Sequence, residues 1–517
     1  MANAHHLDFL QVMLQFCRPK VGWLALLFAV LVALVVLDLV AAAPQAQAKP
    51  LDLTAPSSLQ SSWQSSLRPS IDIKPKLTLV EAVESARRKY PSLQRRGYDT
   101  LKAKAEISVA RTEYLPRMDL LYQELRATNN VTAGTILPQF LNVIPIQSGP
   151  QANNSSFASK FGSNAGLNFS WELIDFGRRA ANVNLARSGV SQTTAQQKLT
   201  ELDVSFRAAH CYLRLLAAQQ LIQARQATLE RMLQWALVVH TLCDKGLRPG
   251  VDAYRADAEV SLARIALIDA KRQADLDQQD LAEAIGDAGS TADVTAGPFV
   301  NRRKEVTAIR ADMRELENHP LARLRVADVN VSRSRLHLLD RTWYPHLWFE
   351  SGIWGRGSGT SRFISPIAGG VIPKTANWAV GFTLQFPVMQ YFKVRADKEL
   401  EQALIAAKQS AVDLAMQELI REDARAQILL SRAQETASET PVLVTAAREN
   451  EIKAKERYRV GLTNVIEVAE AEQILARAES ENAVAQINVW QAQLATAYAH
   501  GDLTPFLKLA ALAEASN

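Results

Sequence analysis

The chain has 517 residues, 48% of them hydrophobic and 21% charged, and 58 basic side chains against 53 acidic ones leave a net charge of +5. That composition is too apolar for a disordered chain, and the charge is too small to point to nucleic acid. With 22 glycines, 20 prolines and 3 cysteines, a loop-rich all-β fold and a disulfide framework are both excluded.

Residues Val21–Leu37 form an apolar run preceded by Arg18 and Lys20 and followed by Ala46-Gln47-Ala48. This pattern predicts a signal peptide over 1–48, cut before Lys49. The competing reading is an uncleaved membrane anchor, since 17 apolar residues are just long enough to span. No later segment resembles a transmembrane helix, so the exported chain is soluble, peripheral, or crosses a membrane by strands.

After an N-terminal extension over 49–76 the chain repeats itself. Tyr90-Pro91 recurs as His319-Pro320 and Leu115-Pro116 as Tyr344-Pro345; Gly166–Trp171 recurs as Gly381–Phe386 and Lys245-Gly246-Leu247 as Val460-Gly461-Leu462. The offset changes once, between Pro116 and Gly166, so a single loop differs in length between two copies. These copies span 77–286 and 319–500, with a linker over 287–318 and a tail over 501–517.

In the first copy a helix is expected from about Pro91 to Glu113, started by its proline and stopped before Pro116. A short strand over 117–126 follows, then a loop containing the apolar stretch Ile136, Leu137, Phe140, Leu141, Val143 and Ile144. A second strand over 165–174 alternates Leu167, Phe169, Trp171 and Leu173 with polar residues. From Arg178 to Asp244 the composition is helical throughout, about 100 Å at 1.5 Å per residue. Cys211 and Cys243 fall on this helix about 48 Å apart, too far for a disulfide. Gly246, Pro249 and Gly250 break it, and a third helix runs from about Val251 to Ile285.

The second copy predicts helices near 320–341, 394–459 and 465–500 and strands near 346–355 and 378–388. In each copy the two shorter helices together nearly match the long one, so they can stack end to end beside it. The result is a long helical pair with a strand hairpin at one end and a tight turn at the other. The apolar faces of the strands are rich in aromatics, with Trp171, Trp343, Trp348, Trp354 and Trp378 in or beside them. Such strands suit an outer-membrane barrel, but four per chain cannot close one, so several chains must share it. Two soluble hairpins capping a helical bundle remain the alternative.

The segments Leu77-Thr78-Leu79 with Glu81-Ala82, Tyr114-Leu115-Pro116-Arg117, Trp171-Glu-Leu-Ile-Asp-Phe-Gly-Arg178, Lys245-Gly246-Leu247 and Tyr458-Arg459-Val460-Gly461-Leu462-Thr463 resemble the TolC family of outer-membrane efflux proteins. The resemblance covers roughly 77–500. It implies a mainly α fold with a small β part: duplicated long-helix hairpins forming a trimeric α-barrel tunnel. Four strands per chain contribute to a shared 12-stranded β-barrel, and a belt drawn from 49–76, 287–318 and 501–517 wraps the tunnel. It further implies a homotrimer in the outer membrane of a Gram-negative-type cell, in contact with outer-membrane lipid. A periplasmic adaptor (membrane fusion) protein and an inner-membrane pump of RND or ABC type would be its partners.

By the same resemblance Gly246, Leu247, Arg459, Gly461 and Leu462 form the adaptor-contacting tip. Asp252 and Tyr458 match a gate latch, a hydroxyl–carboxylate bond of about 1–2 kcal/mol. A second latch made by a threonine and an arginine in the family falls here on Val251 and Thr463, so that link is absent. Glu467 and Glu470, three apart on one helix face, match an acidic constriction that favours cations.

No catalytic, metal or cofactor site is expected. None of the eight histidines stands at ligand spacing, and Gly355–Gly359 matches neither a phosphate loop nor a nucleophile elbow. The function implied is the exit duct of a tripartite efflux system for small molecules. A protein-secretion duct is the alternative within the class, and a periplasmic coiled-coil scaffold the alternative outside it.

Overall fold

The computed structural model describes residues 77–128, 135–136, 147–148, 157, 159–290, 294, 299, 313–358, 373 and 375–514. The chain divides into a unit Met1–Asp72 and a unit Ile73–Asn517, and every described residue belongs to the second. The expected signal peptide, the extension over 49–76 and the apolar loop residues Leu137, Phe140, Leu141, Val143 and Ile144 lie outside the described residues.

The second unit begins with helix α1 (Leu79–Lys89). The Thr78 hydroxyl accepts from the amide of Glu81, whose carboxylate accepts from the amide of Thr78. This reciprocal cap explains why Thr78 and Glu81 stand three apart. Helix α2 (Pro91–Thr112) starts on its proline and stops one residue short of the expected Glu113. Strands β1 (Arg117–Thr128), the short pair β2 (Thr135–Ile136) and β3 (Gln147–Ser148), and β4 (Ser159–Ile174) follow. The long helix α3 spans Arg178–Asp244, 67 residues, as expected, and α4 runs Gly250–Ala284.

Helix α5 (Met313–Asn318) lies at the end of the expected linker; the second copy holds α6 (Pro320–Arg341), β5 (His346–Ser358), β6 (Thr375–Gln385), α7 (Gln390–Arg459) and α8 (Val465–Ala499), and α9 (Thr504–Glu514) lies in the tail. Several boundaries differ from expectation: β1 and β5 run on to Thr128 and Ser358, past residues 126 and 355, and β4 begins at Ser159, ahead of residue 165. Helix α7 begins at Gln390, ahead of residue 394, and continues through Pro441 despite the missing backbone donor. Strand β6 stops at Gln385 because Pro387 cannot donate to the ladder.

The end-to-end stacking is observed. Asn182 and Gln197 of α3 bond Glu113 and Thr100 on the α2 side, while Arg207, Arg214 and His240 of the same helix bond Glu283, Asp277 and Asp257 of α4. Along α7, Lys398 and Lys408 reach α6, and Arg448, Lys455 and Asp423 meet the α8 side. The two copies lie side by side, joined by Ser188–Ser334 (2.7 Å) and Gln192–Asp328 (2.7 Å) between α3 and α6, and by Arg231–Glu479 (2.6 Å) between α3 and α8.

The largest core sits midway along α3. Leu213, Leu215, Leu216 and Tyr212 pack there with Leu79, Val83, Leu281, Ile487, Phe299 and Phe506. Each such fully buried aliphatic side chain contributes about 1.5–3 kcal/mol. This core therefore includes α1, which lies inside the expected first repeat, along with Phe299 of the expected linker and Phe506 of the expected tail. The amide of Leu79 donates to Glu514 Oε1 at 2.9 Å, which ties the tail to the first helix. Burial pushes the Glu514 carboxyl up, against the pull of that amide.

Strands β1, β4, β5 and β6 form one antiparallel sheet in that order, so β1 and β6 are its two edges. The register gives each face a distinct character. Leu120, Leu167, Ile353 and Trp378 align across one face, and Trp171, Phe349 and Phe382 align beside them. Leu120 is 85% exposed, Trp378 76% and Phe382 68%. The opposite face carries Asp119, Asn168, Ser170, Glu172, Glu350 and Thr383. Two of the five tryptophans differ from expectation, since Trp348 and Trp354 pair in register with Glu172 and Gly166 and so stand on the polar face. Trp354 lies buried there against Gly166, where an added Cβ would come within 2.7 Å of its own.

The strand-to-helix corner explains two of the motifs that carry the resemblance. Asp175 accepts from the backbone amides of Gly177 (3.1 Å) and Arg179 (2.6 Å) and from Arg179 Nε (2.9 Å). Burial alone would raise its pKa, but these donors outweigh it and hold the carboxyl below the usual range. The Arg179 guanidinium lies 4.8 Å from the Tyr114 ring centroid, and Trp171 Nε1 donates to the Tyr114 carbonyl at 3.0 Å. The Tyr114–Arg117 and Trp171–Arg178 segments thus grip each other where strands meet helices.

Candidate functional site

The two helix-to-helix turns lie at the end of the helical pairs away from the sheet and share one geometry. Gly246 takes φ +70° and Gly461 φ +85°, a region that favours glycine. The Leu247 amide bonds the Leu242 carbonyl and the Leu462 amide bonds the Arg457 carbonyl, each at 2.9 Å. This is the same helix-terminating motif in both copies. Leu247 is 66% exposed and Leu462 71%, so neither leucine staples its own helix. Arg459 is exposed beside them.

Asp252 and Tyr458 are brought together. Tyr458, fully buried in the last turn of α7, donates its hydroxyl to Asp252 Oδ2 at 2.9 Å in the first turn of α4. Burial pushes the Tyr458 hydroxyl up, and the hydrogen bond and charge of Asp252 add to the shift, so it stays a neutral donor. The Trp235 ring meets Tyr458 edge-on at 5.0 Å. Val251 is 71% exposed, and Thr463 contributes to the seam through its carbonyl.

Glu467 and Glu470 are exposed on one face of α8 together with Ile466 and Ile474. The Asn464 side chain caps the helix by accepting from the Glu467 amide at 3.1 Å, and Arg457 stands 3.7 Å from the Glu467 carboxylate. The fully buried carboxylate of this helix is Glu472, which sequence reasoning passed over. Lys455 contacts both Glu472 and Glu451, Arg231 lies 3.8 Å from Glu472, and Arg448 and Arg231 both pair with Glu479. Burial pushes the Glu472 carboxyl up, opposed by Lys455. Lys455 and Glu472 are equidistant from the second turn, as are Arg448 and Glu479, so antiparallel pairing across the turn was the signal available to find them.

No described helix is long and apolar enough to cross a membrane. Among the described residues no three metal-ligating side chains come together. Of the histidines, His319 is buried and caps α6: its Nδ1 accepts from the Leu321 amide, and its Nε2 donates to the Tyr498 carbonyl at 3.2 Å. Burial holds it neutral, with its pKa lowered from 6.5.

Residues 82–287 match the family described as outer membrane efflux protein. No curated protein matches the chain by sequence. Among solved structures, the outer-membrane channel OprN aligns with a TM-score of 0.65 at 18% identity, over 85% of this chain and 91% of that one. The CmeC outer membrane channel of Campylobacter jejuni aligns with a TM-score of 0.67 at 14% identity, over 84% and 89%. The MtrE outer membrane channel of Neisseria gonorrhoeae, in its open state, gives 0.64 at 16% identity, over 82% and 89%. The chain therefore has the fold of these channels, long duplicated helical hairpins joined to a four-stranded sheet, as the resemblance implied.

Proposed function

We propose that this chain is the outer-membrane exit duct of a tripartite efflux system, carrying small molecules passively from an inner-membrane pump and its adaptor to the exterior. The observation that carries this reading is the four-stranded sheet. One face is apolar and exposed, the other is polar, and among the described strands both edges lack an outer neighbour in the sheet order. An exposed apolar sheet with open edges is unstable alone in water or lipid and is satisfied by closure with further copies. Three copies give twelve strands, with the apolar face toward lipid and the polar face lining the lumen.

In this assembly Asp252 and Tyr458 latch the tip closed, and the exposed Leu247 and Leu462 with Arg459 meet the adaptor. Glu467 and Glu470 from three chains ring the constriction. Six carboxylates around one axis favour cations and raise some of each other's pKa values. Energy comes from the pump, and this chain supplies the conduit and its gate.

Electron microscopy of the detergent-extracted protein tests the reading. A hollow three-fold cylinder over about 100 Å long is expected from the length of α3. A solid rod or compact particle overturns the reading and favours the scaffold. Bilayer recordings test the ring: Glu467→Gln with Glu470→Gln should lower cation selectivity, and unchanged selectivity removes the assignment.

A further inference from the structure

Arg248 belongs to the first tip turn, between Leu247 and Pro249, yet its side chain serves the second. One guanidinium nitrogen donates to the Tyr458 carbonyl and another to the Thr463 carbonyl at 3.4 Å. Its Cζ lies over the Tyr458 ring, 4.1 Å from the centroid. The two carbonyls flank Gly461 and Leu462, so the fork spans the base of the second turn. Tyr458 is the penultimate residue of α7, where helix carbonyls lack intrahelical partners and carry partial negative charge. Its carbonyl already accepts from the Gly461 amide at 3.1 Å, and the guanidinium uses the remaining lone pair. Only a planar, multi-donor cation can bond both carbonyls and cover the ring at once.

We infer that Arg248 is a positioning residue of the closed tip: it ties the second turn to the first in parallel with the Tyr458–Asp252 bond and holds Leu247 and Leu462 as one fixed pair. The inference rests on reading the chain as a gated duct. It also accounts for a seam on which Val251 and Thr463 provide no side-chain link. The Tyr458 hydroxyl is held through Asp252 and the Tyr458 backbone and ring through Arg248, so loss of one tie leaves Tyr458 only partly held by the other.

Two parallel ties have a distinct signature, because loss of either is partly covered by the other. The test is bilayer conductance of the full-length assembly carrying Arg248→Ala, Asp252→Ala and both. Each single change is expected to raise conductance about twofold, and the pair about tenfold or more, well beyond the product of the singles. Arg248→Lys in the Asp252→Ala background should behave nearly as Arg248→Ala does, since an ammonium cannot span both carbonyls or stack. Thermal melting of each variant should stay close to the parent, because the tip lies far from the main core. If the double variant conducts no more than Asp252→Ala, or if lysine restores closure, Arg248 is not this tie, and the duct reading stands. If neither the parent nor the double variant conducts, the duct reading and the tie fall together.

Discussion

Tyr458 and Asp252, 206 residues apart in sequence, share a 2.9 Å hydrogen bond in which both partners are buried. A buried carboxylate that loses its donor costs about 1–3 kcal/mol, more than the net value of most intramolecular bonds. Tyr458→Phe keeps the edge-on contact with Trp235 but strands Asp252, whereas Asp252→Ala removes the acceptor and leaves a small gap. Both changes should raise the permeability of cells to large antibiotics. Tyr458→Phe should also lower the local stability of the tip by about 1–3 kcal/mol, read from amide exchange near Gly461. Unchanged antibiotic uptake in both variants would remove the latch.

The two sheet faces predict opposite responses to the same charge. Phe382 and Thr383 are neighbours on β6 and face opposite sides. Phe382→Lys places an ammonium on the apolar face at a cost of about 2–4 kcal/mol near the membrane centre. The yield of assembled protein in the outer membrane should therefore fall sharply. Thr383→Lys should assemble normally and shift channel selectivity toward anions. Equal yields for the two variants would contradict a lipid-facing sheet.

The architecture was legible because its signals are long or repeated. Alanine-, leucine- and glutamine-rich stretches without proline located α3 to the residue, and the offset shared by Gly246 and Gly461 exposed the duplication. Trp348 and Trp354 were assigned to the wrong face because the apolar set was read from residue type; only the register, with Trp354 opposite Gly166, fixes the pleat. Within the site, Asp252 and Tyr458 came from the resemblance and not from local pattern. Arg248 carried no such signal, since its partners are backbone carbonyls on the other copy and a carbonyl leaves no mark in a sequence. The Lys455–Glu472 and Arg448–Glu479 pairs were in principle readable from their symmetric distances to the turn, once the hairpin was drawn.

A pH effect is expected beside the first turn. His240 on α3 and Asp257 on α4 lie 2.9 Å apart, and the hydrogen bond to Asp257 holds the imidazole above its ordinary 6.5. A folded pKa above the unfolded one means the folded tip binds the proton more tightly. The tie therefore contributes fully below about pH 6.5 and is lost as pH rises through the raised value. Amide exchange across 240–257 should be slower at pH 6 than at pH 8 after correction for the intrinsic rate, and His240→Ala should abolish the difference. An imidazole titrating at or below 6.5 by NMR would contradict it.

Gly286 and Gly501 stand 215 residues apart, the same offset as the two tip glycines, and close α4 and α8 with φ +78° in each. Each lies against the residues that lead into the helix after a proline. A Cβ on Gly286 would come within 3.0 Å of Lys89, and one on Gly501 within 2.6 Å of His319 Cδ2 and 2.8 Å of Pro320. His319 has no room to retreat, because both ring nitrogens are bonded, to Leu321 and to Tyr498. Gly501→Ala thus combines a left-handed backbone penalty of about 1–2 kcal/mol with an overpacking cost of about 1–3 kcal/mol. Gly246→Ala carries the backbone penalty alone, since nothing lies within 4 Å of its added Cβ. Gly501→Ala should therefore lower the melting temperature clearly more than Gly246→Ala. It should also bring the His319 pKa back toward 6.5 as the ring is displaced from its buried position. Equal melting temperatures for the two variants would mean that the α8–α6 junction yields to the methyl group, and that the His319 cap is not the fixed point this geometry makes it.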